Sequence, residues 1–162
     1  MSRRAFLQLL GAGGLILLAP QLFASHRGVK TMITKMSKTS AEWKEMLTPE
    51  QFNILRDEGT EPPHSSPLNK EHRDGLYHCA GCDLELFSSE MKFDSGTGWP
   101  SFFTSIEGHL ETKRDFRMIL PRTEYHCARC GGHQGHVFND GPEPTGERWC
   151  NNGLALRFEP SD

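Results

Sequence analysis

Two Cys-x-x-Cys units constrain this chain more than any other feature of its sequence. They are Cys79-Ala-Gly-Cys82 and Cys127-Ala-Arg-Cys130. Four thiolates at this spacing suit the tetrahedral coordination of Zn²⁺, and the glycines in and after the units let the backbone curl around the sulfur atoms. Two local disulfides or a redox-active dithiol are the alternatives. We expect one structural zinc ion, bound by all four cysteines, that joins strands distant in sequence.

One further cysteine, Cys150, lies in the sequence Arg148-Trp-Cys-Asn-Asn152. In a β-strand, residues two apart share a face, so Arg148 and Asn152 would lie beside Cys150. A nearby cation favours the thiolate, which is the reactive form of cysteine. We therefore predict that Cys150 is a catalytic nucleophile. The alternative is a buried, inert cysteine.

Two other stretches have the composition of a binding site. His133 and His136 follow the second Cys-x-x-Cys unit, and histidines that lie side by side can transfer protons. A second metal site or two core histidines are the alternatives. In residues 94–101, the glycines and Pro100 indicate a rigid loop that holds Trp99. This tryptophan is either an exposed binding platform or a core residue.

The N-terminal segment predicts export. The sequence Ser2-Arg-Arg-Ala-Phe-Leu-Gln8 precedes an apolar run that is too short for a membrane-spanning helix of about 20 residues. It resembles a twin-arginine signal, and that route carries folded, cofactor-loaded proteins. We predict a signal segment at 1–24, either cleaved or retained as an anchor, and a linker at 25–38. The mature protein would be periplasmic or anchored to the outer face of the inner membrane.

Local patterns predict a mainly β domain after two short helices. Capping boxes begin the helices at Thr39-Ser-Ala-Glu42 and Thr48-Pro-Glu-Gln51, and Gly59 ends the second. Trp43, Met46 and Leu47 lie at helical spacing after the first box. Beyond these helices, apolar residues alternate and glycines separate short segments. The predicted strands lie near 76–78, 84–87, 116–120, 124–126, 136–138 and 153–158.

Together these residues resemble a known family. The sequences Asp94-Ser-Gly-x-Gly-Trp-Pro-Ser-Phe102, Gly-Gly-His133-x-Gly-His136-Val-Phe138 and Arg148-Trp-Cys150-x-Asn152, with the two Cys-x-x-Cys units, are similar to the B-type methionine sulfoxide reductases. The resemblance covers 39–160. It implies a domain of two antiparallel sheets in a tent-like arrangement, with zinc far from the chemistry. It also implies reduction of methionine-R-sulfoxide in proteins.

The resemblance implies a role for each residue of the site. Cys150 would attack the sulfoxide sulfur and become a sulfenic acid as methionine leaves. Trp99 and Phe138 would hold the substrate methyl group, and the histidines would bind or protonate the sulfoxide oxygen. The full set comprises Cys150, His133, His136, Arg148 as the group that tunes the thiolate, Asp140 and Asn152 as orienting residues, and Trp99 and Phe138 at the substrate.

Thr97 departs from the pattern of many family members, which carry a second, resolving cysteine at its position. The chain has only five cysteines, so an internal disulfide would have to take a ligand from the metal. We therefore expect an external dithiol or a thioredoxin-like protein to reduce the sulfenic acid. The remaining expected partners are oxidised proteins carrying methionine-R-sulfoxide, and we expect a monomer.

Two other functional classes compete with this interpretation. A zinc-ribbon-like binding module is one, but a net charge of −3 and a pI near 6.2 argue against binding to nucleic acid. A cysteine hydrolase that pairs Cys150 with His133 or His136 is the other. That enzyme would need an oxyanion site, which the sequence does not identify.

Overall fold

The computed structural model describes residues 32–117 and 120–161, where the chain forms two antiparallel sheets and two short α-helices. The predicted signal segment (1–24) and the first part of the predicted linker lie outside these residues. Residues 32–38 contain no helix or strand and contact the domain through a hydrogen bond from Met36 N to Arg129 O (2.7 Å). No helix in the described part of the chain has the length and apolarity needed to cross a membrane.

The strands are short and number nine in the described residues. A three-stranded sheet has the order β2-β1-β9, and a six-stranded sheet has the order β3-β4-β8-β7-β6-β5. The prediction of a mainly β fold with two antiparallel sheets is therefore confirmed. The strands are β1 (Gly75–Cys79), β2 (Glu85–Ser88), β3 (Lys92–Phe93), β4 (Ser101–Phe102), β5 (Leu110–Asp115), β6 (Arg122–Cys127), β7 (His133–Phe138), β8 (Arg148–Asn151) and β9 (Leu156–Pro160).

Both helices begin as the capping boxes predict. In α1 (Ser40–Met46) the Thr39 side chain accepts a hydrogen bond from Glu42 N, and in α2 (Pro49–Asp57) Thr48 accepts one from Gln51 N. The first helix buries Trp43 but leaves Met46 about half exposed, so only part of its predicted inner face is buried. The second buries Ile54 and Leu55, and it ends at Glu58 in a left-handed conformation directly before Gly59.

Two of the predicted strands are wrong in whole or in part. No strand includes the described residues of the range 116–120, which are 116, 117 and 120: β5 ends at Asp115, and Phe116 and Leu120 are 73% and 78% exposed. The residues of β5 are mostly charged and exposed, so their order comes from pairing with β6 rather than from apolar alternation. The segment predicted at 153–158 begins with a 3-10 turn at Gly153–Ala155, and the strand starts only at Leu156.

An aromatic core lies between the two sheets. The ring of Phe87 from the small sheet stacks on Phe102 from the large one, with centroids 3.9 Å apart, and Tyr77 meets Phe102 edge-on at 5.0 Å. Phe102, Tyr125 and Trp149 alternate along their strands with Ser101, Glu124 and Cys150. The first three line the core, so the alternating residues belong to the opposite face of the six-stranded sheet.

Candidate active site and metal centre

The four cysteines of the Cys-x-x-Cys units form one cluster. Their sulfur atoms all lie within 4.8 Å of one another, with Cys79 and Cys130 3.6 Å apart and Cys82 and Cys127 3.4 Å apart. A disulfide needs about 2.05 Å. Sulfur atoms around a zinc ion with Zn–S bonds of about 2.3 Å lie roughly 3.8 Å apart. All four are free cysteines, and both of these pairs join different units, so the cluster fits a tetrahedral metal site rather than two local disulfides.

The surroundings of the cluster also suit a metal. The Gln134 side-chain amide donates a hydrogen bond to Cys79 Sγ (3.3 Å), a contact that supports metal-bound thiolates. A side chain at Gly132 would approach Cys130 Sγ to 3.3 Å and Leu55 to 3.0 Å. Cys79 ends β1 of the small sheet and Cys127 ends β6 of the large one, so the cluster joins the two sheets.

Cys150 lies near the middle of the six-stranded sheet, on β8. Its direct cross-strand partners are Ser101 on β4 and His136 on β7, so these two side chains flank it on the same face. Phe138 and Arg148 form the next pair that shares this face. The structure thus brings together Cys150, His136, Phe138 and Arg148.

His133 joins this group because β7 contains a bulge. Regular alternation would place His133 and His136 on opposite faces, since they are three residues apart. The pairing shifts between Tyr125 and His126, which leaves one extra residue in β7, and the two imidazole rings then lie 5.4 Å apart. Beside the bulge, a Cβ at Gly135 would overlap the carbonyl of Cys150, so only glycine lets β7 approach β8 this closely.

Each histidine is bound by a carboxylate that sequence reasoning missed. His133 Nδ1 lies 2.8 Å from Glu124 Oε1, and His136 Nε2 lies 2.8 Å from Asp115 Oδ2. Glu124 also pairs with Lys113 (3.0 Å). These acids lie on β6 and β5, and only the pairing of three strands reveals that they meet the histidines. No local spacing could have identified them.

Burial and charge oppose each other at the histidines. Burial lowers the pKa of His133 and of His136, although the bonded carboxylate acts the other way. The pKa of Asp115 is lowered, chiefly by a hydrogen bond from the Arg117 backbone N–H and further by His136 and Arg122. At neutral pH Asp115 is therefore an anion that accepts the Nε2–H of a neutral His136.

Burial also dominates at Cys150. It raises the pKa of the thiol, while the charge of Arg148 and a hydrogen bond with the Thr97 side chain act to lower it. The Arg148 guanidinium forms a two-bond ion pair with Asp140 (2.8 and 2.9 Å) and lies 4.3 Å from the centre of the Phe138 ring. Asp140 thereby neutralises part of the charge of Arg148. Because the effect of burial on the pKa is larger than that of Arg148, Cys150 is a protonated thiol at rest.

Thr97 belongs to a small cluster of hydroxyl groups next to Cys150. Ser95 Oγ lies 2.8 Å from both Thr97 Oγ1 and Ser101 Oγ, and Ser101 is the cross-strand neighbour of Cys150. Thr97 therefore presents a hydroxyl group, and not a thiol, to Cys150.

Trp99 is partly exposed and held in a fixed position. Its indole N–H donates to Glu61 O (3.0 Å), and a Cβ at Gly98, where φ is 94°, would meet Pro63 and His64 at about 3 Å. These contacts favour the binding platform over the core residue. Asn152 is buried, accepts a hydrogen bond from Glu61 N (3.1 Å) and donates one to Gln134 O (3.0 Å). It thus ties the loop that binds Trp99 to β7.

The geometry places the Cys150 thiol beside His136 on one face of the sheet, with Phe138 and Arg148 as the next cross-strand pair on that face. A thiol beside an imidazole suits sulfur oxidation–reduction, but it also suits a cysteine hydrolase. Comparison with known proteins distinguishes the two.

The SelR domain family matches residues 47–160 of the chain, a range that includes every residue of the site. Peptide methionine sulfoxide reductase MsrB of Agrobacterium fabrum is 52% identical over 127 residues, which cover 78% of this chain and 94% of that protein. The MsrB proteins of Pseudomonas putida strain GB-1 (50% over 129 residues; 79% and 98% covered) and Methanosarcina barkeri (48% over 128 residues; 78% and 90% covered) are similar to the same extent.

Replacing Arg148 with Met should raise the pKa of the Cys150 thiol further, because the cation that opposes burial is lost and Asp140 is left unpaired. At a fixed pH below that pKa, the thiolate fraction and the rate of alkylation should both fall. The measurement is the rate of iodoacetamide labelling of Cys150 against pH, read by peptide mass spectrometry.

The matched control is Arg157→Met, which removes the same charge from β9, where Arg157 pairs with Asp83 and Glu159. It should leave the labelling profile of Cys150 unchanged. An unchanged or lowered midpoint in the Arg148 variant would show that this cation does not act on the thiol.

Proposed function

The chain belongs to the MsrB family of peptide methionine sulfoxide reductases, and from this premise we propose that it reduces methionine-R-sulfoxide in proteins, with Cys150 as nucleophile. The observation that carries the proposal is the cross-strand placement of Cys150 against His136 inside a domain that matches this family along 47–160. A hydrolase would use the same pair of groups, but the family is one of sulfoxide reductases.

The reaction needs one proton, and the Cys150 thiol supplies it. Oxygen passes from the sulfoxide sulfur to Cys150 Sγ, so the methionine sulfur gains two electrons and the cysteine sulfur loses two. Because burial keeps Cys150 protonated and the histidines neutral, the Cys150 proton first moves to an imidazole. The thiolate then forms a bond from Sγ to the sulfoxide sulfur while the imidazolium protonates the sulfoxide oxygen. The hydroxyl group passes to Sγ as the sulfur–oxygen and sulfur–sulfur bonds break, which leaves methionine, a sulfenic acid and a neutral imidazole.

Trp99 and Phe138 supply the apolar side of the site in this proposal. A methyl group is bound best by a flat apolar ring, and Trp99 is partly exposed with its indole fixed by Glu61. Phe138 is held beneath Arg148, which Asp140 orients in turn. Binding the methyl group on the aromatic side and the oxygen on the histidine side would select one epimer of a chiral sulfur. Asn152 acts through the Glu61 loop rather than at the reacting atoms.

We propose that the metal is zinc and that it is structural. The four sulfur ligands and their separations fit a closed tetrahedral site, which leaves no position for substrate. Its contribution would be to the stability of the fold, by holding the end of β1 next to the turn between β6 and β7.

Recycling is proposed to use an external donor. Thr97 has no thiol, and the four other cysteines form the metal site. A thioredoxin-like protein or a small dithiol would attack the sulfenic acid and pass through a mixed disulfide with Cys150.

One chain supplies every residue of the site, which supports the proposal of a monomer. The paired arginines and the apolar run at 1–24 support the proposal that the protein acts in the periplasm.

The direct test is a stereospecific assay of the purified protein with dithiothreitol. Methionine-R-sulfoxide in a peptide should be reduced, the S epimer should not, and Cys150→Ser should abolish turnover, because a serine hydroxyl stays protonated at neutral pH. The variant should keep its fold. Reduction of neither epimer by the wild-type protein, or turnover by the serine variant, would overturn the proposal.

Cys127→Ser should lose the metal and lower the melting temperature, because binding and folding are coupled at structural zinc sites by roughly 10–16 kcal/mol in small peptides. Elemental analysis gives the metal content, and calorimetry gives the melting temperature. Cys150→Ser is the matched control and should retain one zinc ion per chain. Full metal content with unchanged melting in the Cys127 variant would refute the assignment.

A further inference from the structure

Two strands, β7 and β6, lie between Cys150 on β8 and Asp115 on β5, yet Asp115 contacts the residue that flanks Cys150. It ends β5 and is 8% exposed. Its carboxylate accepts hydrogen bonds from Arg117 N (2.9 Å), Arg122 Nη2 (2.7 Å) and His136 Nε2 (2.8 Å). Three donors hold the group as an anion with one oxygen directed at the imidazole.

This contact decides which nitrogen of His136 is free. An anionic carboxylate requires an N–H donor, so the Nε2 of His136 carries the proton and its Nδ1 carries the lone pair. His136 is also the direct cross-strand partner of Cys150. The ring therefore combines a bonded N–H on the Asp115 side with an unprotonated nitrogen that can accept the thiol proton.

We propose that Asp115 is a positioning residue that makes His136 the acceptor of the Cys150 proton, by fixing the tautomer of the ring and stabilising the imidazolium. The inference rests on the proposed reductase function for its kinetic part only. The proton leaves Cys150 Sγ and binds to His136 Nδ1, so a thiol and a neutral imidazole become a thiolate and an imidazolium. The carboxylate keeps its hydrogen bond to Nε2–H throughout and takes up no proton.

Two pairs of the other charges near His136 neutralise each other, whereas Arg122 pairs with Asp115 itself (2.7 Å). Arg148 pairs with Asp140, and Lys113 pairs with Glu124. His133, the second histidine, binds Glu124 through its Nδ1 and lies at the bulge, where it is not the cross-strand partner of Cys150. Among the residues that the structure describes, Asp115 alone makes a hydrogen bond to the His136 ring. The titratable and charged groups that face His136 are Lys113 and Asp115 on β5, Arg122 and Glu124 on β6, His133 on β7, Asp140 in the turn after β7, and Arg148 and Cys150 on β8.

The test variant is Asp115→Asn, which keeps the size of the side chain and an oxygen acceptor but removes the charge. The pKa of His136 should fall, and NMR titration of its ring protons, assigned with a His136→Gln sample, measures this without turnover. The population of the thiolate–imidazolium pair should fall by about tenfold for each pKa unit lost. The kcat at neutral pH should fall by the same factor with little change in KM.

The pH profile separates positioning from a purely structural role. His136 must be neutral to accept the proton, so the acid limb of kcat follows its pKa and should move to lower pH in the variant. Glu111→Gln is the matched control, since it makes the same change at an exposed position of the same strand. This control variant should change neither the pKa of His136 nor the acid limb of the kcat profile. Asp115→Glu, which retains the charge, should keep the wild-type titration.

An unchanged His136 titration in Asp115→Asn would overturn the inference, and so would a fall in kcat with an unmoved acid limb. If Asp115→Asn does not fold, the test uses Asp115→Glu. In that variant, a pKa of His136 equal to that of a solvent-exposed histidine would refute the inference. Absence of sulfoxide reduction by the wild-type protein would refute the proposed function but would leave the NMR result standing.

Discussion

The four-cysteine cluster is the constraint on which the site depends. It holds the end of β1 from the small sheet against the turn that precedes β7, so β7 begins from a fixed point. Gln134 connects this region to the site, since its side chain bonds Cys79 while its backbone carbonyl accepts from Asn152. The bulge in β7 lies between the cluster and His136. A metal that takes no part in the chemistry would thus determine where both histidines lie.

The chemistry of the site depends on a balance between burial and charge. Burial keeps the proton on Cys150 and off the two histidines, even though an arginine and two carboxylates lie next to them. A resting thiol is protected from oxidation, because the thiolate is the form that oxidants attack. In the proposed mechanism, moving one proton between adjacent strands would produce the nucleophile and the acid together, and activation would require no proton from solvent.

Features set by local sequence could be predicted, and those set by strand register could not. The two Cys-x-x-Cys units and both capping boxes are local, and each has the predicted structure. The pairing of the two histidines was predicted from their spacing, but the bulge that makes it possible was not. Asp115 belongs to a charged strand without apolar alternation, and a strand was wrongly predicted directly after it. The contact between Asp115 and His136 requires the register of three strands, which one sequence does not contain.

Single turnover without a reductant tests the central claim most directly. The protein is mixed with one equivalent of methionine-R-sulfoxide peptide and analysed by native and peptide mass spectrometry, with a sulfenic-acid trap in a parallel sample. We expect one added oxygen on Cys150, one equivalent of methionine and a retained metal ion. Release of methionine with Cys150 unmodified would contradict the central claim. A disulfide between Cys150 and any of the four cluster cysteines, with loss of the metal, would also contradict it.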